Sequence, residues 1–320
     1  MVHGRPNDHD CFDGFAEHYH DNVEFINWRD VGPREPGHLF VSCIQDPVGK
    51  NRAAALMAAV DATPGATLLN APHIANMSQR QFLYTKWTAE GLLCPEPPKE
   101  FDYEFLKAEG NYPYLVKDLH KQLGRGYVIQ NEDRLDWLYL EATRFNIDRF
   151  WSISFEDLHD ENGFYVMQRY LVAGDKVLPG MLAKTKKWNC KASHMPRDIR
   201  KWTEEERTQY VEELEEFWIS KPHPDILKSV RISGLDFCTV DCTLVARGKE
   251  RVPMLWELNP MLNLNPSTVI GKPQSWWRFL ANFLFETNEL IYWPSAREQV
   301  RHFMTYEGGG HWASLKKEGR

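Results

Sequence analysis

Two apolar runs late in the chain are the feature that most constrains its fold. They read GLDFCTVDCTLVA at 234–246 and VPMLWELNP at 252–260, and the charged turn RGKER joins them. Each run has the length of a strand and is rich in apolar and β-branched residues. Two such runs joined by a short charged turn predict an antiparallel hairpin, so the chain is expected to contain a sheet built around it.

Acidic side chains interrupt both strands of this predicted hairpin. Side chains alternate between the faces of a strand, so Asp241 shares a face with Thr239, and Glu257 shares one with Leu255 and Asn259. If the polar faces coincide, the two carboxylates and the amide oxygen converge, and such hard oxygen ligands suit Mg²⁺. The spacing equally allows pairing with Arg or Lys, or a solvated sheet face, and leaves these interpretations open.

A lysine and a glycine-containing basic loop lie together earlier in the chain. Lys117 interrupts the apolar run YPYLVKDL (112–119), and the loop at 120–126 separates it from a second strand at 127–130. Loops with glycines and cations hold polyphosphates through their backbone N–H groups and charges. Taken by itself, the loop favours the solvated tip of a hairpin over a phosphate-binding loop.

Composition narrows the class of protein. The chain has 320 residues, 42% of them apolar and 13% aromatic, which is enough for two or three modules with packed cores. Its net charge of −7 provides no general attraction to nucleic acid. Six scattered cysteines form no C-x-x-C pair, so we expect reduced thiols and a cytoplasmic protein. The polar N-terminal segment and the lack of a long apolar run predict neither signal peptide nor membrane span.

The first part of the chain predicts a small α/β unit. Strand-like residues at 38–45 precede a helical pattern at 50–62, and a second short strand follows at 66–72. The proline-rich segment at 94–100 is a link to the strands that come after it.

Taken in order, these pieces resemble the ATP-grasp superfamily. The resemblance covers roughly residues 77–266, and its last part, Asp241 followed by Glu257-x-Asn259, is similar to the family's magnesium signature. The other matching features, in chain order, are Arg80, the step from Gly91 to Pro95, Pro113-x-x-x-Lys117, the glycine loop, the strand Val166–Leu171 and Asp175.

The resemblance implies a fold of the α+β and α/β class. Two α+β lobes would clamp ATP, preceded by a small α/β module. The corresponding boundaries are 1–77 for the N-terminal module, 78–167 for the lobe with the phosphate loop, and 168–320 for the lobe with the Mg²⁺ site and a helical tail.

It also implies roles for particular residues. One or two Mg²⁺ ions would bind Asp241, Glu257 and Asn259. ATP would bind through Arg80, Lys117, Gly124, Arg125, Gly126, Gln168, Arg169, Tyr170, Leu171 and Asp175, with the backbone of the 168–171 segment bonded to adenine and Asp175 to ribose. Lys184, Lys186 and Asn189 occupy the stretch that faces the reacting phosphate and acyl groups in relatives.

The implied reaction is ATP-dependent activation of a carboxylate as an acylphosphate, which an amine then attacks. Its substrates would be small-molecule or peptide carboxylates and amines, with no nucleic acid or membrane partner, and a homo-oligomer is left open. A kinase of a small polar substrate and a non-catalytic nucleotide-binding protein are the alternatives. Two departures bear on the choice: Gln168 stands where many relatives have Glu, and the segment after Asn259 lacks the Gly and Ser that several ligases use for their acceptor.

Overall fold

The computed structural model describes most of the chain. The described residues are 2–3, 15, 18–19, 24, 26–42, 49–118, 126–145, 150–190, 195–260, 273–291 and 295–305. The chain divides into two compact units, one formed by Met1–Gln79 with His159–Arg320 and the other by Arg80–Leu158. The three-part division at 77 and 167 stays a prediction.

The described strands and helices alternate along much of the chain. The strands are β1 (Val2–His3), β2 (Ile26–Asn27), β3 (Leu39–Val41), β4 (Thr67–Leu69), β5 (Lys99–Glu100), β6 (Tyr114–Asp118), β7 (Gly126–Ile129), β8 (Phe150–Ser154), β9 (Tyr165–Ala173), β10 (Lys176–Thr185), β11 (Phe237–Arg247) and β12 (Glu250–Asn259). The helices are α1 (Lys50–Asp61), α2 (Pro72–Met77), α3 (Arg80–Ala89), α4 (Tyr103–Glu109), α5 (Glu132–Phe145), α6 (Met195–Asp198), α7 (Glu204–Ile219), α8 (Pro224–Ser233), α9 (Pro273–Leu284) and α10 (Ala296–Thr305).

The first part of the larger unit is the predicted strand–helix–strand unit. β3 and β4 pair in parallel, and α1 lies between them in sequence. Its core contains Phe40 of β3, Leu56 and Ala59 of α1, and Ala75 of α2. A short parallel pair needs a crossover of this kind, because a tight turn cannot join parallel strands.

The smaller unit contains a four-stranded antiparallel sheet in the order β5-β8-β6-β7. β6 and β7 form the predicted hairpin, with Lys117 paired to Gly126. One face of this sheet packs against the helices α4 and α5. The buried residues of that core are Leu106, Tyr114, Val116, Ile129, Leu135 and Leu138.

The larger unit also contains a four-stranded antiparallel sheet, in the order β10-β9-β11-β12. Two hairpins build it: β9 turns into β10 at Gly174, and β11 turns into β12 at Gly248, both glycines having positive φ. The predicted late hairpin is confirmed, and it pairs through β11 with the other hairpin. The fold therefore confirms the predicted mixed helix and sheet class.

The helix α7 covers one face of this sheet. Its buried residues are Tyr210, Leu214 and Phe217, and the Tyr210 hydroxyl donates to the Leu182 carbonyl of β10 at 2.7 Å. The Phe217 ring lies edge-on to Tyr170 of β9, with centroids 5.3 Å apart. Thr203 and Glu206 form a reciprocal capping box that fixes where α7 begins.

Among the described residues, none of the helices combines the length and the apolarity that a bilayer crossing requires.

Candidate active site

The register of the late hairpin brings the predicted acidic residues together. Asp241 of β11 lies directly opposite Glu257 of β12, and Thr239 lies directly opposite Asn259. Residues paired in this way project from the same face of a sheet. Asp241, Glu257 and Asn259 therefore share one face, as the alternation of the sequence predicts.

A β-bulge lies next to the acidic pair. Asp241 pairs with Glu257, but Cys242 pairs with Leu255, so Trp256 is the extra residue on β12. The bulge moves Leu255 to the face opposite Glu257, and both Cys242 and Leu255 are fully buried there. The prediction that Leu255 shares a face with Glu257 was wrong, because strict alternation does not continue across an extra residue.

Arg169 of β9 binds the Asp241 carboxylate. The two residues are directly paired across β9 and β11. The Nε and Nη2 atoms of Arg169 each donate to one carboxylate oxygen, both at 2.6 Å. The side chain of Asp241 is 8% exposed and that of Arg169 is 23% exposed. Burial opposes the charged guanidinium, but the adjacent carboxylate raises the pKa of Arg169 above its ordinary value.

The acidic face has the donor types that a hard divalent cation requires. The amide of Asn259 donates from Nδ2 to Glu257 Oε1 at 3.2 Å, which holds the two side chains side by side. The Glu257 carboxylate and the Asn259 amide oxygen fit Mg²⁺ in type and number, because Mg²⁺ binds few protein oxygens and completes its shell with phosphates and water. Asp241 would contribute while also bonded to Arg169, since each carboxylate oxygen can accept more than one bond.

Lys184 lies on the opposite face of this sheet. It pairs across the strands with Val166, whereas Arg169 pairs with Met181, so the side chains of Lys184 and Arg169 project from different faces. Lys184 is 2% exposed, and its Nζ donates to both oxygens of Glu213 of α7 at 2.7 and 2.9 Å. Such a contact is typical of a buried cation that needs a counter-ion.

Lys186 also contacts α7 rather than the acidic face. Its Nζ donates to Glu206 at 2.8 Å and lies 4.8 Å from the centre of the Phe164 ring, while the Nζ of Lys184 lies 4.9 Å from the same ring. These contacts favour a structural role for both lysines, which anchor β10 to the start and middle of α7. The predicted catalytic role of Lys184, Lys186 and Asn189 stays a prediction, and the contacts of the two lysines do not support it.

The segment expected to bind adenine is the central strand β9. Residues 168–171 are paired with β10 on one side and with β11 on the other. Their main-chain groups therefore face neighbouring strands, and an adenine contact there would have to replace ladder hydrogen bonds. The Gln168 side chain accepts from the Tyr170 hydroxyl at 2.9 Å, on the face covered by α7.

Asp175 lies in the turn between β9 and β10. Its carboxylate accepts from Arg231 Nη2 of α8 at 2.7 Å, and the side chains of the two residues are 82% and 62% exposed. An ion pair this exposed contributes little to stability, so Asp175 is available for exchange with a ligand hydroxyl.

The predicted phosphate-binding residues belong to the smaller unit. Arg80 begins α3, Lys117 is in β6 and half-buried, and Gly126 begins β7. Gly124 and Arg125 lie outside the described residues. The loop's predicted role in holding phosphates stays a prediction.

Asn70 is a residue next to the acidic strands that sequence reasoning missed. It is 1% exposed, and its Nδ2 donates to the carbonyls of Phe237 at 2.8 Å and Pro260 at 3.3 Å. Its Oδ1 accepts from the amide of Asp236 at 3.0 Å, and its own amide donates to Asp236 Oδ2 at 2.6 Å. Asn70 therefore links β4 to the start of β11 and to the end of β12. The sequence signal that could have pointed to Asn70 is its position directly after an apolar strand and before Ala71-Pro72.

Cys238 and Cys242 lie on the face away from Asp241. Both are fully buried, and burial raises the pKa of each thiol well above its ordinary range. Thiols in this state behave as small apolar side chains rather than as nucleophiles.

Comparison with known proteins identifies similar structures but no similar sequence. No family model matches the chain, and no curated protein matches it. A D-alanine–D-alanine ligase from Bacillus anthracis has 11% identity and a TM-score of 0.49 over 96% of this chain and 98% of that one. The ATP-grasp ligase PsnB, solved with a phosphomimetic variant of its minimal precursor, Mg and ADP, has 13% identity and a TM-score of 0.46 over 81% of this chain and 88% of that one.

A third similar structure is a RimK domain ATP-grasp protein from Sphaerobacter thermophilus, with 12% identity and a TM-score of 0.45 over 81% of this chain and 90% of that one. The resemblance of this chain to the ATP-grasp superfamily stays a prediction. With identities of 11–13% and TM-scores below 0.5, the likeness assigns no substrate, reaction or residue role to this chain.

Proposed function

We propose that this chain is a Mg-ATP-dependent ligase that activates a carboxylate as an acylphosphate for attack by an amine, releasing ADP and phosphate. The observation that carries the proposal is the placement of Asp241 directly opposite Glu257, with Asn259 on the same face. Two carboxylates and an amide oxygen on one face of the sheet provide the hard oxygen ligands that a divalent cation binds. A polyphosphate-bound Mg²⁺ is the cation that this set of oxygens suits.

In this mechanism the chain positions the reactants and neutralises charge. Glu257, Asn259 and Asp241 would hold one or two Mg²⁺ ions, which would offset the charge of the transferred phosphoryl group. The substrate carboxylate attacks the γ-phosphorus of ATP, and the bond between that phosphorus and the ADP oxygen breaks. The amine then attacks the acyl carbon of the acylphosphate and displaces phosphate. No covalent protein nucleophile is required, because positioning and electrostatics provide the rate enhancement.

The other predicted contacts are part of the proposal. Arg80, Lys117 and the 124–126 loop would bind phosphates, and Asp175 would bind ribose. For Lys184 and Lys186 we propose a structural role, because both contact carboxylates of α7. Asn189 is the residue of that stretch which we retain as a candidate contact to the reacting groups.

A substrate screen tests the reaction class. The purified protein is incubated with Mg-ATP and pools of carboxylates and amines, and ADP, AMP, phosphate and pyrophosphate are measured. ADP and phosphate formed only when both pools are present support the ligase. ADP without free phosphate indicates a kinase of a small polar substrate, and AMP with pyrophosphate indicates adenylation; either product pattern contradicts the proposal.

The metal residues are tested by Glu257→Gln. The change keeps the size of the side chain but removes the charge, so we expect Mg²⁺-dependent turnover to fall by about 100-fold or more. Glu250→Gln is the matched control, because Glu250 begins the same strand and is exposed next to the turn. Unchanged turnover of Glu257→Gln at limiting Mg²⁺ would show that the metal assignment is wrong.

A further inference from the structure

We propose that Arg169 is a built-in counter-ion that keeps Mg²⁺ out of the acidic face until the nucleotide's phosphates arrive with it. The inference rests on the proposed function and concerns the order in which the site is filled. It assigns to the Arg169 side chain a role that differs from the main-chain contact predicted for its strand.

The geometry of the pair is specific. Arg169 and Asp241 are directly opposite on β9 and β11, and Asp241 is directly opposite Glu257 on β12. All three side chains therefore project from one face of the sheet in a row across the strands. The guanidinium uses two N–H groups on the two oxygens of Asp241, at 2.6 Å each, which is the bidentate geometry of a strong pair.

The row has a reason to contain a cation. Like charges directly opposite each other on neighbouring strands are destabilising, and the cost rises with burial. The Asp241 side chain is 8% exposed, so its repulsion with Glu257 is poorly screened by solvent. Arg169 offsets that repulsion in the absence of a metal.

The same charge lowers the attraction of the site for a free divalent ion. The row contains two carboxylates, and the guanidinium of Arg169 offsets the charge of one of them, Asp241. The affinity of carboxylate sites for hard cations follows the number of charged ligands. Nucleotide phosphates add the missing negative charge, so the row binds the metal well only when phosphates are also present.

The test measures Mn²⁺ binding by electron paramagnetic resonance, with Mn²⁺ as the probe for the Mg²⁺ site and without nucleotide. Arg169→Gln removes the charge but keeps an N–H donor for Asp241. We expect it to bind Mn²⁺ on the order of tenfold tighter than the wild type, since one nearby positive charge is removed. Arg169→Lys retains the charge and should bind Mn²⁺ as weakly as the wild type.

The matched control is Arg278→Gln. Arg278 lies in α9 of the same unit, is 24% exposed and is paired with Glu289 at 3.5 Å, so it resembles Arg169 in exposure and pairing. Its replacement removes the same charge from a pair that includes none of the acidic-face residues and should leave Mn²⁺ binding unchanged. An equal gain in Arg278→Gln and Arg169→Gln would overturn the proposal, because the effect would then be one of net charge alone.

Two further measurements keep the proposal separate from the proposed function. If Glu257→Gln binds Mn²⁺ with ADP as well as the wild type does, the metal site itself is wrong. If Glu257→Gln loses that binding while Arg169→Gln shows no gain without nucleotide, only the role of Arg169 is overturned. If Arg169→Gln does not fold, Mn²⁺ binding by the wild type still tests the inference. Equally tight Mn²⁺ binding by the wild type with and without ADP would refute it.

Discussion

One buried side chain, that of Asn70, supports much of the local structure at this site. Asn70 has φ of 51°, the left-handed region that Asn adopts more readily than most residues. In this conformation its side-chain amide donates to the main-chain carbonyls of Phe237 and Pro260. Phe237 begins β11 and Pro260 directly follows Asn259, so this one residue supports both acidic strands.

Replacing Asn70 by Ala should lower the free energy of unfolding by about 2–4 kcal/mol, because buried main-chain groups lose their partners and Ala is strained at positive φ. Asn70→Gly loses the same amide without the strain, so its loss should be smaller by about 1 kcal/mol. Urea unfolding followed by fluorescence measures both. Equal stability of the wild type and Asn70→Gly would show that the amide contributes nothing.

At the scale of elements, irregular points of the strands set the geometry of the site. The register of β11 and β12 shifts directly after Asp241, and the register of β9 and β10 shifts between Pro179 and Met181, opposite Tyr170 and Arg169. Bulges of this kind redirect side chains and increase local twist. Both shifts adjoin the Arg169–Asp241–Glu257 row, so the row depends on where the extra residues fall.

Gly180 lies in the second of these shifts, where another strand approaches closely. A Cβ atom there would be 2.6 Å from Leu171 Cδ1 and 2.9 Å from the Arg169 carbonyl oxygen. Gly180→Ala should therefore displace β9 and destabilise the protein by about 1–3 kcal/mol. Because Arg169 moves with β9, its contact with Asp241 should loosen, and Mn²⁺ binding in the absence of nucleotide should become tighter.

Gly32→Ala is the control for this substitution, since a Cβ at Gly32 meets no atom within 4 Å. Thermal unfolding should show a change near zero for Gly32→Ala and a clear loss for Gly180→Ala. A Gly180→Ala protein as stable as the wild type would mean that the strands can separate at no cost, contrary to this close packing.

At the scale of the whole molecule, the proposed nucleotide contacts are divided between two units. Lys117 is in the sheet of the smaller unit, whereas Asp241, Glu257 and Asn259 are in that of the larger one. Each unit has its own sheet, and the smaller unit has a core of its own. The proposed function assigns phosphate binding to Lys117, which makes a direct prediction.

Lys117→Ala should weaken ATP binding by roughly tenfold, the loss expected for one charge-assisted contact to a phosphate. Lys99→Ala is the control, because Lys99 is an exposed lysine on a strand of the same sheet. Isothermal calorimetry with a non-hydrolysable ATP analogue measures both affinities. Equal affinity of Lys117→Ala and Lys99→Ala for the ATP analogue would show that Lys117 does not bind the nucleotide.

Part of the site could be predicted from local patterns. The alternation of polar and apolar residues placed Asp241, Glu257 and Asn259 on one face. The Arg169–Asp241 pair could not be found in this way, because its partners are 72 residues apart in the sequence. The face of Lys184 was equally hidden, since it depends on the bulge in β10 and on the packing of α7.

The sequence by itself determined the late hairpin, the helix at 50–62, the acidic set and the resemblance to a family, since each depends on spacing between near neighbours in the chain. The tertiary structure decided which cation meets which carboxylate: Arg169 binds Asp241, and Lys184 binds Glu213. The reason is physical. A buried charge pairs with whatever opposite charge the register and the helix packing bring within reach, and no local pattern in the chain encodes that distance.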